Sequence, residues 1–125
     1  RNPRLIQIGN DGISVRSSTW RERQNWYIHQ CYIRQEYDEC IAAIEERLAG
    51  CSLCEYATHV KALILRQRGK IQESLTLFQW ATCINPQNPA NIVQVGHSLY
   101  LLGKHKQAID VYDEARRIGE KKTRR

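Results

Sequence analysis

The side chains of this chain that could do chemistry are four histidines, five cysteines and a few paired carboxylates, and their spacing decides what they can do. Cys51-Ser-Leu-Cys54 has the interval of a redox motif or half a zinc site, but no second Cys-x-x-Cys or His-x-x-x-His accompanies it. A structural zinc takes four ligands, so the pair reads as a turn between helices. Cys31, Cys40, Cys51, Cys54 and Cys83 form an odd set, which fits free and mostly buried thiols in a reducing compartment. His29, His59 and His97 have no third ligand placed beside them, and His105 takes a packed slot between helices. Glu45-Glu46 and Asp38-Glu39 read as charges on exposed helix faces. There is no Gly-x-Ser-x-Gly, no His-Glu-x-x-His, no phosphate-binding loop and no Gly-x-Gly-x-x-Gly. We therefore expect no catalytic residue, no metal and no cofactor.

Composition narrows the partners. The 125 residues suit one domain or a slice of a longer array, and 42% apolar content with three Trp and six Tyr can fill a core. The chain begins at Arg1 and lacks methionine, so it reads as a fragment. No apolar run approaches the roughly 18 residues of a spanning helix. The net charge of +6 suggests nucleic acid only until it is located. From Gln24 to Ala115 there are eight basic and ten acidic side chains, and the excess positive charge lies in the two flanks. Phosphate affinity needs clustered Lys and Arg, so no nucleic-acid binding is expected of the folded part.

The elements that position the remaining residues follow a repeat. Gly69, Ser74, Phe78 and Ala81 recur 34 residues later as Gly103, Ala108, Tyr112 and Ala115, with Asn85-Pro86-Gln87-Asn88-Pro89 between the copies. The last three of each set lie at i, i+4 and i+7, one face of a helix, where small residues admit a neighbour and an aromatic fills the space beyond. A period of 34 with this content marks tetratricopeptide repeats. The frame fits three times, as 21–54, 55–88 and 89–122, after a flexible segment 1–20 and before a basic tail 123–125. The expected repeat-packing residues are Ile28, Ala62, Gly96, Ser74, Phe78, Ala81, Pro86, Ala108, Tyr112 and Ala115. The first copy is degenerate, with Arg47 where the others have alanine.

The periodicity predicts helices over about 22–35, 37–49, 55–68, 71–84, 89–102 and 105–118. Gly50, Gly69, Gly103 and Gly119 are expected as left-handed helix stops. Asn88 can cap the fifth helix with Pro89 in its first turn, and Pro86 ends the fourth. Within 5–15, Asn10-Asp11-Gly12 between two apolar runs could form a hairpin turn. The whole is expected to be an all-α, right-handed α-solenoid of three helix-turn-helix repeats. Its last helix, with Ile109, Val111 and Tyr112, lacks a solvating cap. The fragment alone should be marginally stable or self-associate.

What remains is surface for binding. First helices of such repeats line the concave face, which here would carry Asn25, His29, Tyr32, Tyr56, His59, Leu63, Arg66, Val93, His97 and Tyr100. Aromatic and apolar side chains with one Arg suit a protein partner. Chaperone-binding repeats grip a carboxylate with Lys and Arg. The corresponding slots hold Asn25, His29, Val60, Ala90 and Gln94, so that activity is not expected.

Residues outside the repeat consensus carry a closer likeness. Gln24-Asn25-Trp26, Ile28-His29, Tyr32-Ile33-Arg34, Leu53-Cys54-Glu55-Tyr56-Ala57, Ile71-Gln72-Glu73-Ser74-Leu75 and Leu101-Leu102-Gly103-Lys104-His105-Lys106 resemble the Bardet–Biedl syndrome 4 family of tetratricopeptide subunits of the BBSome. The likeness covers about Gln24 to Ile118. It implies a non-catalytic scaffold in a coat-like complex that moves membrane proteins into and out of cilia. It also implies membrane contact only through that complex, which an Arf-like GTPase recruits. Implied partners are the other BBSome subunits, with pericentriolar material and dynein–dynactin. Implied locations are the cytoplasm, cilium, basal body and centriolar satellites. The alternatives are another repeat adaptor, for a chaperone or motor, and the repeat region of a larger enzyme such as a glycosyltransferase.

Overall fold

The computed structural model describes residues 10–123. Six helices follow in order: α1 Asn10–Ile33, α2 Tyr37–Gly50, α3 Glu55–Gln67, α4 Ile71–Ile84, α5 Pro89–Leu101 and α6 His105–Thr123. They fall into two compact units, Arg1–Ser52 and Leu53–Arg125. In the first, α1 packs on α2; in the second, α3 packs on α4, α4 on α5 and α5 on α6.

The helix stops recur with the sequence period. Gly69 and Gly103 adopt φ of +86° and +85°, and Gln35, at the same place in the first hairpin, adopts +62°. Each closes the same pair of hydrogen bonds. Gln35 N donates to Tyr32 O and Glu36 N to Cys31 O; Gly69 N donates to Arg66 O and Lys70 N to Leu65 O; Gly103 N donates to Tyr100 O and Lys104 N to Leu99 O. This is the Schellman arrangement, which satisfies carbonyls the ending helix leaves open. Gln35 accepts the left-handed conformation at a cost of roughly 1 kcal/mol that glycine avoids. Asn88 caps α5 as expected: its side chain accepts from Ala90 N at 3.0 Å, with Pro89 in the first turn.

Several expectations need correction. Gly50 is the last residue of α2 and Gly119 lies inside α6, which runs on to Thr123; neither has a positive φ. Glycine permits a left-handed stop, but without the accompanying bonds it does not impose one. The turn expected at Asn10-Asp11-Gly12 opens α1 instead, and helix covers the latter half of the segment 1–20 expected to be flexible. Asn and Asp favour helix N-termini as strongly as turns, so the local signal was ambiguous. The 5–9 part of that hairpin lies outside the described residues. Pro86, expected among the packing residues, is exposed just beyond the end of α4. His105, expected in a core slot, is exposed at the start of α6, where its ring meets that of Tyr100.

The core of the second unit is Ala62, Leu75, Phe78, Val95, Leu99 and Ala108, with Leu63, Leu77, Leu102 and Val111 packed against it. Phe78 is fully buried, as are Ala62, Ser74 and Ala81. Gly96 is small for a visible reason: a Cβ there would stand 2.9 Å from the Tyr112 ring. Ala115 is buried, while Tyr112, whose ring lies beside Gly96, stays 37% exposed. In the first unit Ile28, Cys31, Cys40 and Ile44 make the core. Cys40 Sγ donates to Ile28 O at 3.4 Å. Burial, and then the neighbouring Cys31, push the Cys40 thiol up to about 11, so it is an inert packing group. Among the described residues, two buried side-chain polar atoms have no partner, Arg47 Nε and Ser74 Oγ. No described helix is long and apolar enough to cross a membrane.

Two substitutions in α4 separate packing from polarity. Phe78→Ala should cost about 3–5 kcal/mol and lower the melting temperature by more than ~10 °C; a shift within a degree would overturn this account of the core. Ser74→Ala removes an unsatisfied hydroxyl from a well-filled site. It should be neutral or stabilising by up to ~1 kcal/mol in denaturant titration, and a loss above that would mean the hydroxyl is bonded.

Candidate protein-binding surface

The expected surface residues divide into those that hold helices together and those that face outward. In the second unit, α3 is tied to α5 by polar side chains. His59 Nδ1 donates to Asn91 Oδ1 at 2.7 Å, and since that oxygen can only accept, Nδ1 carries the hydrogen. Arg66 donates to Gln94 Oε1 at 2.6 Å and to Ser98 Oγ at 3.4 Å. The same guanidinium lies over the Phe78 ring, 5.2 Å from its centroid, and His59 meets that ring edge-on at 5.2 Å. His59 and Arg66 are therefore half-buried braces. Tyr56 and Leu63 are also half-buried, whereas Val93, His97 and Tyr100 on α5 are exposed. Tyr100 packs against the His105 ring at 4.7 Å, an edge contact that links the outer sides of α5 and α6. Partial burial, and then the charge of Arg66, push His97 below its ordinary value, so at neutral pH it is an uncharged hydrogen-bonding group.

In the first unit, Asn25 and Tyr32 are half-buried and His29 is exposed on α1. Tyr32 packs on Tyr37 at 5.9 Å, across the α1–α2 turn. Cys51, half-buried at the end of the first unit, and Cys54, buried at the start of the second, are not joined in a disulfide.

The periodicity gave no warning of a third feature. Glu55, in the first turn of α3, receives three asparagine side chains: Asn85 at 3.0 Å, Asn88 at 2.5 Å and Asn91 at 2.7 Å. Asn91 is fully buried and also donates to Ala81 O at 3.4 Å. One carboxylate thus anchors the α4–α5 turn and the start of α5 on α3. The only trace in the sequence is three asparagines spaced three apart around two prolines, and nothing in that pattern names Glu55 as their acceptor. Partial burial pushes the Glu55 carboxyl up, but the three asparagine bonds and nearby His59 outweigh it and hold it below the usual range. A depressed folded value means stability present above the unfolded pKa of about 4.3 and lost as pH falls through the folded one. Glu55→Gln should therefore melt lower than the parent at pH 7, and the gap should shrink as pH drops below about 4. A gap independent of pH, followed by calorimetry, would overturn the role of the charge.

Comparison with known proteins places this geometry. No family model matches the chain. It is 54% identical over 101 residues to the BBSome complex member BBS4 of Xenopus tropicalis, covering 80% of this chain and 20% of that protein. The Bos taurus BBS4 is 52% identical over the same length, and a Drosophila melanogaster homolog is 33% identical over 91 residues. The chain thus spans about a fifth of the length of the relatives it matches. Among solved structures, a crystal structure of MamA superposes with a TM-score of 0.77 at 16% identity, covering 92% of this chain and 67% of that one. The MamA MSR-1 structure gives 0.72 at 14% identity, over 96% of this chain and 67% of that one. At such identities the likeness shows the fold alone, the all-α tetratricopeptide-repeat solenoid class. Over the stretch it shares with its sequence relatives, the chain is similar to the BBS4 proteins, named as BBSome complex members.

Proposed function

We propose that this chain is a non-catalytic protein-binding segment of a BBSome subunit, acting as a scaffold in ciliary membrane-protein trafficking and cilium assembly. The observation that carries the reading is the 52–54% identity to proteins named as BBSome complex members, over four-fifths of the chain. A scaffold needs rigid surfaces and no reaction centre, and helices held by half-buried braces supply such surfaces. The repeats run 21–54, 55–88 and 89–122, a frame supported by Schellman stops at Gln35, Gly69 and Gly103. Partners are the other BBSome subunits, with pericentriolar material and dynein–dynactin as further candidates. The place of action is the cytoplasm and cilium, with the basal body and centriolar satellites.

On the second unit, contacts fall to the exposed Val93, His97 and Tyr100, with Tyr56 and Leu63 beside them. On the first they fall to Asn25, His29 and Tyr32. His59 and Arg66 serve the surface by fixing α3 to α5, because a pre-ordered face loses less entropy on binding. Affinity capture of the tagged full-length protein from a ciliated cell lysate should recover the other BBSome subunits. Tyr56→Ala with Tyr100→Ala should cut that recovery several-fold. Undiminished recovery would remove this face from the interface, and a coherent but unrelated set of partners would overturn the scaffold assignment.

A further inference from the structure

Two grooves in this protein occupy the same place in the repeat, and among the described residues only one has a third wall. The first, about 410 Å3, lies between α1 and α2; Gln24 and Tyr27 line it from α1, and Ala43 and Glu46 from α2. The second, about 340 Å3, is lined by Ile92, Val95, Val111 and Glu114 of α5 and α6. Those four are the residues found 68 positions, or two 34-residue periods, after Gln24, Tyr27, Ala43 and Glu46. In the second groove α4 supplies a third wall through Gln79 and Thr82, and Val95 is only 8% exposed. Tyr27, its counterpart, is 48% exposed.

We propose that the α1–α2 groove is a docking site for an amphipathic helix of a partner polypeptide, seated against α1 beside α2 as α4 is seated against α5 beside α6. The lining states what that helix must carry. Ala42 and Ala43 give small side chains on the α2 side, so a helix backbone can come close, and Tyr27 gives the apolar surface it would bury. Glu39 and Glu46 bracket the alanines one heptad apart, and Arg23 stands on the α1 side. Both glutamates and the arginine are exposed on the free hairpin. The complementary helix presents an apolar stripe, with Lys or Arg about seven residues apart along one edge and an acidic residue along the other. The charges set register and orientation, and the buried aromatic supplies affinity.

The choice of a partner polypeptide as occupant rests on the scaffold reading, and the test keeps the two apart. The full-length protein, carrying the photoreactive benzoylphenylalanine at the exposed Ala42, is assembled with the other BBSome subunits and irradiated, and the cross-linked peptides are sequenced. The expected result is one helical segment of another subunit bearing the basic pair. Glu39→Lys with Glu46→Lys should reduce that cross-link at least tenfold with helix content unchanged by circular dichroism. The same probe at Lys106, on α6, should not reach that segment. Cross-links only within the chain, only to a second copy of it, or none at all in a complex that has assembled would overturn the groove while leaving the scaffold reading intact. If the unsubstituted protein does not co-purify with those subunits, the scaffold reading falls, and this occupant falls with it.

Discussion

Phe78 sits where α3, α4 and α5 meet, and the rest of the second unit is arranged around its ring. Val95 and Leu99 share its core cluster from α5, Arg66 covers one face and His59 meets its edge. Both polar neighbours are then held from the other side, Arg66 by Gln94 and Ser98 and His59 by Asn91. An aromatic ring in this setting does more than fill volume. Its negative face gives a half-buried guanidinium a place to rest, and the guanidinium in turn carries α3 across to α5. Burial of one side chain and the position of two helices thus become one problem, because the ring packs against both of the side chains that bridge α3 to α5.

Polar order follows from that apolar centre. Asn91 is fully buried, which would be costly for an amide, yet Glu55, His59 and Ala81 O satisfy it. Glu55 can serve three asparagines because a carboxylate has about four acceptor sites and no donor to waste. The turn between α4 and α5 is therefore docked through one charge, while Pro86 and Pro89 restrict the paths the chain can take there. The consequence for binding is stiffness. The face of α5 that carries Val93, His97 and Tyr100 is presented by a helix fixed at its first turn and along its inner side.

The first unit works with less. Its core is Ile28, Cys31, Cys40 and Ile44, with no aromatic at the position of Phe78, and an unsatisfied Arg47 Nε sits where later repeats have alanine. Tyr27 is exposed and Ala43 half-exposed, whereas the matching Val95 and Val111 of the last hairpin line a groove that α4 also walls. A hairpin with a thin core and an open groove gains most from being covered, since burying apolar surface is the main favourable term available to it.

The sequence by itself determined the helices, because their causes are local. Left-handed stops at Gly69 and Gly103, the Asn88 cap and the i, i+4, i+7 row of small and aromatic residues act within a few residues of chain. Gly96 and Tyr112 were each expected among the packing residues from the repeat, but only the folded chain brings them together. Local signals that serve two purposes misled: Asn10-Asp11-Gly12 opens a helix, and Gly50 and Gly119 are carried within helices. Tertiary structure alone decided which polar side chains became braces. His59 and Arg66 looked like free surface, but each finds its partner 28 to 32 residues away, on a helix whose rotation no periodicity specifies. Glu55 and its asparagines lie 30 to 36 residues apart for the same reason. A hydrogen bond needs two atoms within about 3 Å, and only the packed helices bring atoms so distant in sequence to that separation.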